Sequence, residues 1–170
     1  ITMNDGAVAQ TNGGNIRYKA SGTVTVGVLD ARTSADRGEA ISTDDKLLDQ
    51  IKTTGGWGSV SIVSTGGSIL DNSETTVDVY ANELRLTVQA AIGALGDGTS
   101  NALETEVATV TASAGTGGIN LLESSAITIG SVTAVAANRV ATTGVAGSGD
   151  QTDVAAQAGV VTTANSNGSI

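Results

Sequence analysis

The 170-residue chain contains no His and no Cys, so its chemistry must come from carboxylates, amides, hydroxyls and a few cations. Ser-His and Cys-His nucleophile pairs and nitrogen- or sulfur-ligated transition-metal sites need the two missing residue types. A serine activated by lysine needs a desolvated amine, and Lys19, Lys46 and Lys52 all stand in polar sequence. The expectation is therefore that the chain is not an enzyme. Carboxylate pairs for glycoside cleavage would have to come from Asp44/Asp45, Glu104/Glu106 or Asp150/Asp153. Trp57, between two glycines, and Tyr80 are the candidates for a ligand face that stacks on sugar rings. Among metals the composition admits calcium, which accepts carboxylate, amide and backbone oxygens. Asp97, Asn101 and Glu104 fall in an oxygen-rich stretch around Gly96-Asp97-Gly98 and are the candidate ligands, although no calcium-loop repeat surrounds them. No other cofactor is expected. Asp71-Asn72 and Asn82 read as turn residues that bond their own backbone.

The elements that must hold these groups are built from small and branched residues. The chain has 23 Gly, no Pro, no Phe, one Trp and two Tyr, so aromatic anchors cannot make its core. A formal charge of -9 with only eight Lys and Arg argues against nucleic-acid partners, since phosphate contacts need clustered cations. No apolar run is long enough to span a membrane, and no membrane insertion is expected.

Short alternating runs separated by small-residue turns recur along the chain. Ile16, Tyr18 and Ala20 alternate with Arg17 and Lys19; Val24, Val26 and Val28 alternate with Thr25 and Gly27. Val60 and Ile62, Val77 and Val79, then Leu84, Leu86 and Val88 continue the theme, followed by Val107, Val110, Ile119, Leu121, Ile127, Ile129, Val132 and Val135. Each strand is expected to keep one wet face, with Val26 and Leu86 pointing inward. Double glycines at 13–14, 55–56, 66–67 and 117–118 mark corners. A sandwich usually places large aromatics between its sheets, whereas a coil stacked like on like needs only small and branched residues. The pattern thus predicts an all-β chain, a parallel β-solenoid in one domain over 1–170. A charged insertion at 32–54 would form a loop or short helix, capped by Ser42 or Thr43 with Leu47, Leu48 and Ile51 on one face; an Ala/Gly-rich stretch fills 141–170.

The chain opens on Ile1-Thr2-Met3-Asn4 and closes on Asn167-Gly168-Ser169-Ile170. Read tail to head, these parallel Gly67-Ser68-Ile69-Leu70-Asp71-Asn72, so Ile1, Met3, Ser169 and Ile170 are expected at assembly ends, as halves of one interrupted strand in a longer repetitive protein.

Three segments, Gly14-Asn15-Ile16-Arg17-Tyr18-Lys19-Ala20, Thr23-Val24-Thr25-Val26-Gly27-Val28-Leu29-Asp30-Ala31 and Gly117-Gly118-Ile119-Asn120-Leu121, resemble repeats of giant bacterial surface proteins of the filamentous-haemagglutinin kind. The resemblance implies a right-handed β-helix, export to the cell surface and a structural role as stalk, adhesin or fibre. A solenoid without capping helices exposes backbone edges that template association, so the expected partners are copies of itself or flanking repeats, stacked head-to-tail. The alternative is a β-helix that binds or cleaves carbohydrate, with cell-surface glycans as partners. A third reading, an ice-binding surface of Thr rows, finds only isolated instances such as Thr23 and Thr25.

Overall fold

The computed structural model of the chain describes residues 1–37, 56–72, 76–96, 101–138, 151–163 and 168–170. Among them strands predominate and the only helix is α1 (Ser34–Arg37). The first half contributes β1 (Val8–Gln10), β2 (Ile16–Ala20), β3 (Val24–Val26), β4 (Val28–Asp30), β5 (Ser59–Ser64), β6 (Ile69–Asp71) and β7 (Val79–Val88). The second half contributes β8 (Leu103–Ala114), β9 (Leu121–Glu123), β10 (Thr128–Ile129), β11 (Ser131–Val132), β12 (Ala136–Ala137), β13 (Gln151–Thr152), β14 (Gln157–Ala158) and β15 (Val160–Thr162).

Every pairing within the main nine-stranded sheet is parallel, and the sheet does not close on itself. The long strands β7 and β8 join its two halves. Their first residues continue the ladder β1-β4-β7-β8-β9, and their later residues continue β2-β5-β7-β8. A separate parallel pair, β3 with β6, is extended by single bridges: Thr2 to Thr25, Ile69 to Ile92 and Ile92 to Ile119.

Register explains why small branched residues suffice. Ile16, Val60, Leu84 and Val110 sit side by side on neighbouring strands, as do Ile62, Leu86 and Ala112, and all seven side chains are buried. In a parallel ladder each inward residue rests on the residue at the same position of the next strand, about 4.8 Å away, so aliphatic stacks fill a narrow interior without aromatics. Val26 and Leu86 both point into this core with no solvent exposure, and Leu29, Val79 and Leu103 complete it.

Two strand expectations are corrected. The alternation Val24-Val26-Val28 is not one strand: the chain turns at Gly27, and Val28 faces a different side from Val26. A Cβ on Gly27 would stand 2.6 Å from the Ala7 carbonyl oxygen, so this corner tolerates only glycine. Gly13 and Gly118 have φ of +75° and +79°, the left-handed conformation expected of the double-glycine corners. The region proposed to carry a helix starting at Ser42 or Thr43 lies outside the described residues.

The second correction concerns the wet face. Strands β7 and β8 are buried on both sides, because the segment formed by β11 to β14 lies across the outward row Arg17, Ser61, Arg85 and Thr111. This strap consists of two antiparallel pairs, β11 with β14 and β12 with β13. Asp153 fastens it: Oδ1 accepts from Arg17 Nε at 2.9 Å, Oδ2 lies 3.3 Å from Arg85 Nη1, and the side chain is 1% exposed. Gln157 adds two bonds, accepting from Thr87 Oγ1 at 2.6 Å and donating to the Leu86 carbonyl at 2.9 Å. Asn15 Nδ2 donates to the Ala136 carbonyl and Thr111 Oγ1 to the Gly159 carbonyl, both at 2.8 Å.

Two outcomes are expected. Leu86→Ala should lower the unfolding free energy by about 2–5 kcal/mol through cavity formation, against little change for the exposed Gln10→Ala, measured by denaturant titration. Asp153→Ala leaves two guanidinium groups under the strap without their shared carboxylate and should cost about 3–5 kcal/mol. Limited proteolysis should then cut within 131–138 or 151–158 before the sheet, at bonds cut more slowly in the native chain.

Candidate functional site

The densest group of chemically capable side chains sits where β6 ends and β7 begins. The alternation of β6 places Asp71 on the face of Ile69, in register with the buried Val26, so a carboxylate occupies what the ladder treats as an inward position. Asp78, just before β7, is pinned by backbone bonds: its N–H donates to the Glu104 carbonyl at 2.9 Å and its carbonyl accepts from Leu29 at 2.7 Å. Glu104, on β8, donates its backbone N–H to Asp78 Oδ2 at 2.9 Å. Carboxylate oxygens of Asp71, Asp78 and Glu104 consequently lie within 4.8 Å of one another.

Burial dominates the electrostatics. Asp78 has no solvent exposure, and its carboxyl shares a side-chain hydrogen bond with that of Glu104, which favours the protonated form. Desolvation pushes its pKa up to about 9; the Glu104 backbone N–H opposes the shift, and the Asp71 and Glu104 charges add to it. A carboxyl so placed is neutral at pH 7 in the absence of a cation.

A second perturbed carboxylate is Glu123, in register with Thr105 on the inward face of β9. It accepts from Thr105 Oγ1 at 2.6 Å and from the Val107 N–H at 2.9 Å. Burial nevertheless raises its pKa to about 7, because those bonds only partly offset the desolvation. It lines an apolar cavity of about 230 Å³ with Val110, Ile119, Leu121, Ile127, Val160 and Ile170.

The residues singled out by sequence distribute as follows. Glu104 belongs to the acidic cluster, with Asp71 and Asp78 as its partners. Asn101 engages a neighbouring turn through its carbonyl, which accepts from the Ala94 N–H, and Asp97 lies outside the described residues. Asp71 reads in the sequence as a turn residue, and no motif there marks Asp78. They stand seven residues apart, with Glu104 a further 26 residues beyond Asp78, so only the strand register unites them; the Ile69-x-Asp71 alternation is the one available signal. Trp57 and Tyr80 do meet, in one apolar cluster with Ala108, Val28 and Val77, but they are 5% and 9% exposed. Trp57 Nε1 donates to Asp36 Oδ2 at 2.7 Å, and the Arg32 guanidinium lies 3.8 Å above the Tyr80 ring. Arg32 is itself held by both Asp30 oxygens, at 3.0 and 2.8 Å, so both aromatic faces are covered and a sugar could reach them only by displacing this cover. Of the carboxylate pairs considered for glycoside cleavage, Asp153 is committed to Arg17 and Arg85, Glu106 accepts from Ser125 Oγ, and Asp44, Asp45 and Asp150 lie outside the described residues. Ile1 and Met3 bracket Thr25 by backbone bonds at one edge, and Ser169 accepts from Ile119 at the other.

No family model, curated protein or solved structure matches the chain. Among the described residues no helix is long and apolar enough to cross a membrane.

Both raised carboxyls make stability depend on pH in one direction. The native state binds a proton more tightly than the unfolded chain, so the associated stability is whole below the unfolded values of 3.8 for Asp78 and 4.5 for Glu123. It is lost as pH rises, through about 7 for Glu123 and about 9 for Asp78. In chelator-treated protein the melting temperature should therefore fall from pH 5 to pH 9. Glu123→Gln should flatten the lower part of that decline and Asp78→Asn the upper part, followed by circular dichroism melts.

Proposed function

We propose that this chain is one segment of a parallel β-solenoid that serves as a structural unit of an extracellular bacterial fibre or adhesin stalk, joined head-to-tail to copies of itself or to flanking repeats. The carrying observation is that the parallel ladders stop at edges that remain apolar. At one edge, β1 and β2 pair only with β4 and β5 among the described strands, and Val8 is 55% exposed. At the other, β9, β10 and β15 pair only with β8, and Ile129 is 63% exposed beside the apolar cavity. Parallel strands that pair on one side only among the described residues, with an exposed aliphatic side chain at each edge, favour continuation of the same ladder by another chain or repeat. An end-to-end contact of this kind uses two different surfaces and therefore propagates without closing.

The covered aromatics and the absence of His and Cys fit a structural role better than sugar binding or catalysis. The resemblance to filamentous-haemagglutinin repeats agrees with this reading and supplies the cell-surface location.

Electron microscopy of concentrated protein, with helical averaging, should show filaments whose rungs repeat at about 4.8 Å along the long axis. Ile129→Lys, which places a charge on one edge, should abolish filaments while leaving the monomer's circular dichroism unchanged. Discrete particles at all concentrations, or filaments insensitive to that substitution, would overturn end-to-end stacking.

A further inference from the structure

We propose that the edge formed by β9, β10 and β15 seats the β1–β2 edge of a second copy of this chain in one register: Glu123 against Ala9, Ile129 against Ile16 and Val160 against Tyr18. The fit rests on the fibre reading and fixes how its joints are made.

The register follows from columns of side chains that run through the whole ladder. Ala9, Leu29, Val79, Thr105 and Glu123 hold one position on successive strands. Ile16, Val60, Leu84, Val110 and Ile129 hold a second, and Tyr18, Ile62, Leu86, Ala112 and Val160 a third. Each column begins on one edge and ends on the other, and its middle members are buried. All these pairings are parallel, so a second copy added in the same direction continues the three columns together. A slip of one residue would turn its Ile16 and Tyr18 away from the interior.

The two edges also match in shape. Glu123, Ile127, Ile129 and Val160 line the apolar cavity of about 230 Å³ together with Val110 and Ile119 of the preceding strands. Small-molecule pockets usually hold roughly 300–1,000 Å³, so the side chains of an added set of strands are the better-sized occupant. The opposite edge supplies them: Ile16 belongs to the core, and Ala9 and Tyr18 pack against it while only partly buried. Glu123 meets the smallest of the three, Ala9. Its two oxygens already accept from Thr105 Oγ1 and the Val107 N–H, so it asks no donor of the incoming chain.

Because the chain has no cysteine, engineered disulfides can map the joint. Neighbours in one column of a parallel ladder stand about 4.8 Å apart, inside the roughly 4.4–6.8 Å Cα separation that a disulfide bridges. Within one chain Tyr18 and Val160 are four strand spacings apart, about 19 Å, so a bond between these positions must join two chains. The test oxidises full-length chains carrying Tyr18→Cys with Val160→Cys, and separately Ile16→Cys with Ile129→Cys, followed by non-reducing gels and electron microscopy. Both pairs are expected to give covalent dimers, trimers and longer species, at least about tenfold more than the off-register pair Ala9→Cys with Val160→Cys. Circular dichroism matching the unsubstituted chain identifies the variants that fold, and either matched pair suffices for the comparison. Filaments in which the off-register pair crosslinks as well as the matched pairs, or in which neither matched pair crosslinks, would overturn this register while leaving the fibre reading standing. Absence of both filaments and crosslinks would overturn the two together.

Discussion

The structure depends on strict register between parallel strands. Because each inward side chain rests on its counterpart in the next strand, one position along the ladder must suit the same kind of residue several times over. Ile16, Val60, Leu84 and Val110 satisfy that requirement, and the backbone bonds running between the strands hold the stack in place. A shift of one residue in any strand would turn its aliphatic side chains out and its Arg, Ser or Thr partners in. The corners serve the same end: Gly27 permits the close approach of Ala7 that lets two short strands change direction without losing their place in the ladders.

Against this regular interior the strap is a departure. It crosses the outward row of the sheet, so Arg17, Ser61, Arg85 and Thr111 lose solvent although they point away from the aliphatic core. Asp153 makes that burial tolerable by meeting two guanidinium groups at once, and Gln157 bonds to both the backbone and a side chain of β7. The strap thereby covers this row, while among the described strands β1 and β2 at one edge, and β9, β10 and β15 at the other, pair on one side only.

The acidic corner and Glu123 break the aliphatic rule at defined places. Asp71 stands in register with Val26, and Glu123 in register with Thr105, where the ladder elsewhere carries aliphatic or small residues. The Asp78 and Glu123 carboxyls resist ionisation because their buried surroundings offer little solvation to a charge. Such positions lower the stability of the chain at neutral pH.

Much of the architecture was legible in the residues. Alternation with a period of two, the lack of aromatics and the paired glycines determined a strand-rich chain with an aliphatic interior, and Val26 and Leu86 could be placed inward from that pattern alone. These features are local: a strand's faces follow from its own neighbours, and a glycine's φ from its own missing Cβ. What lies between distant segments was not legible. The split at Gly27, the burial of β8 on both sides, the pairing of Asp153 with Arg17 across 136 residues and the meeting of Asp71, Asp78 and Glu104 all depend on register and on the spacing between strands. Those quantities arise only when strands of unequal spacing settle against one another. The sequence by itself therefore determined the kind of strand and the material of the core, while tertiary structure decided which polar groups share a site, because long-range register is a property of the packed ladder and not of any one segment.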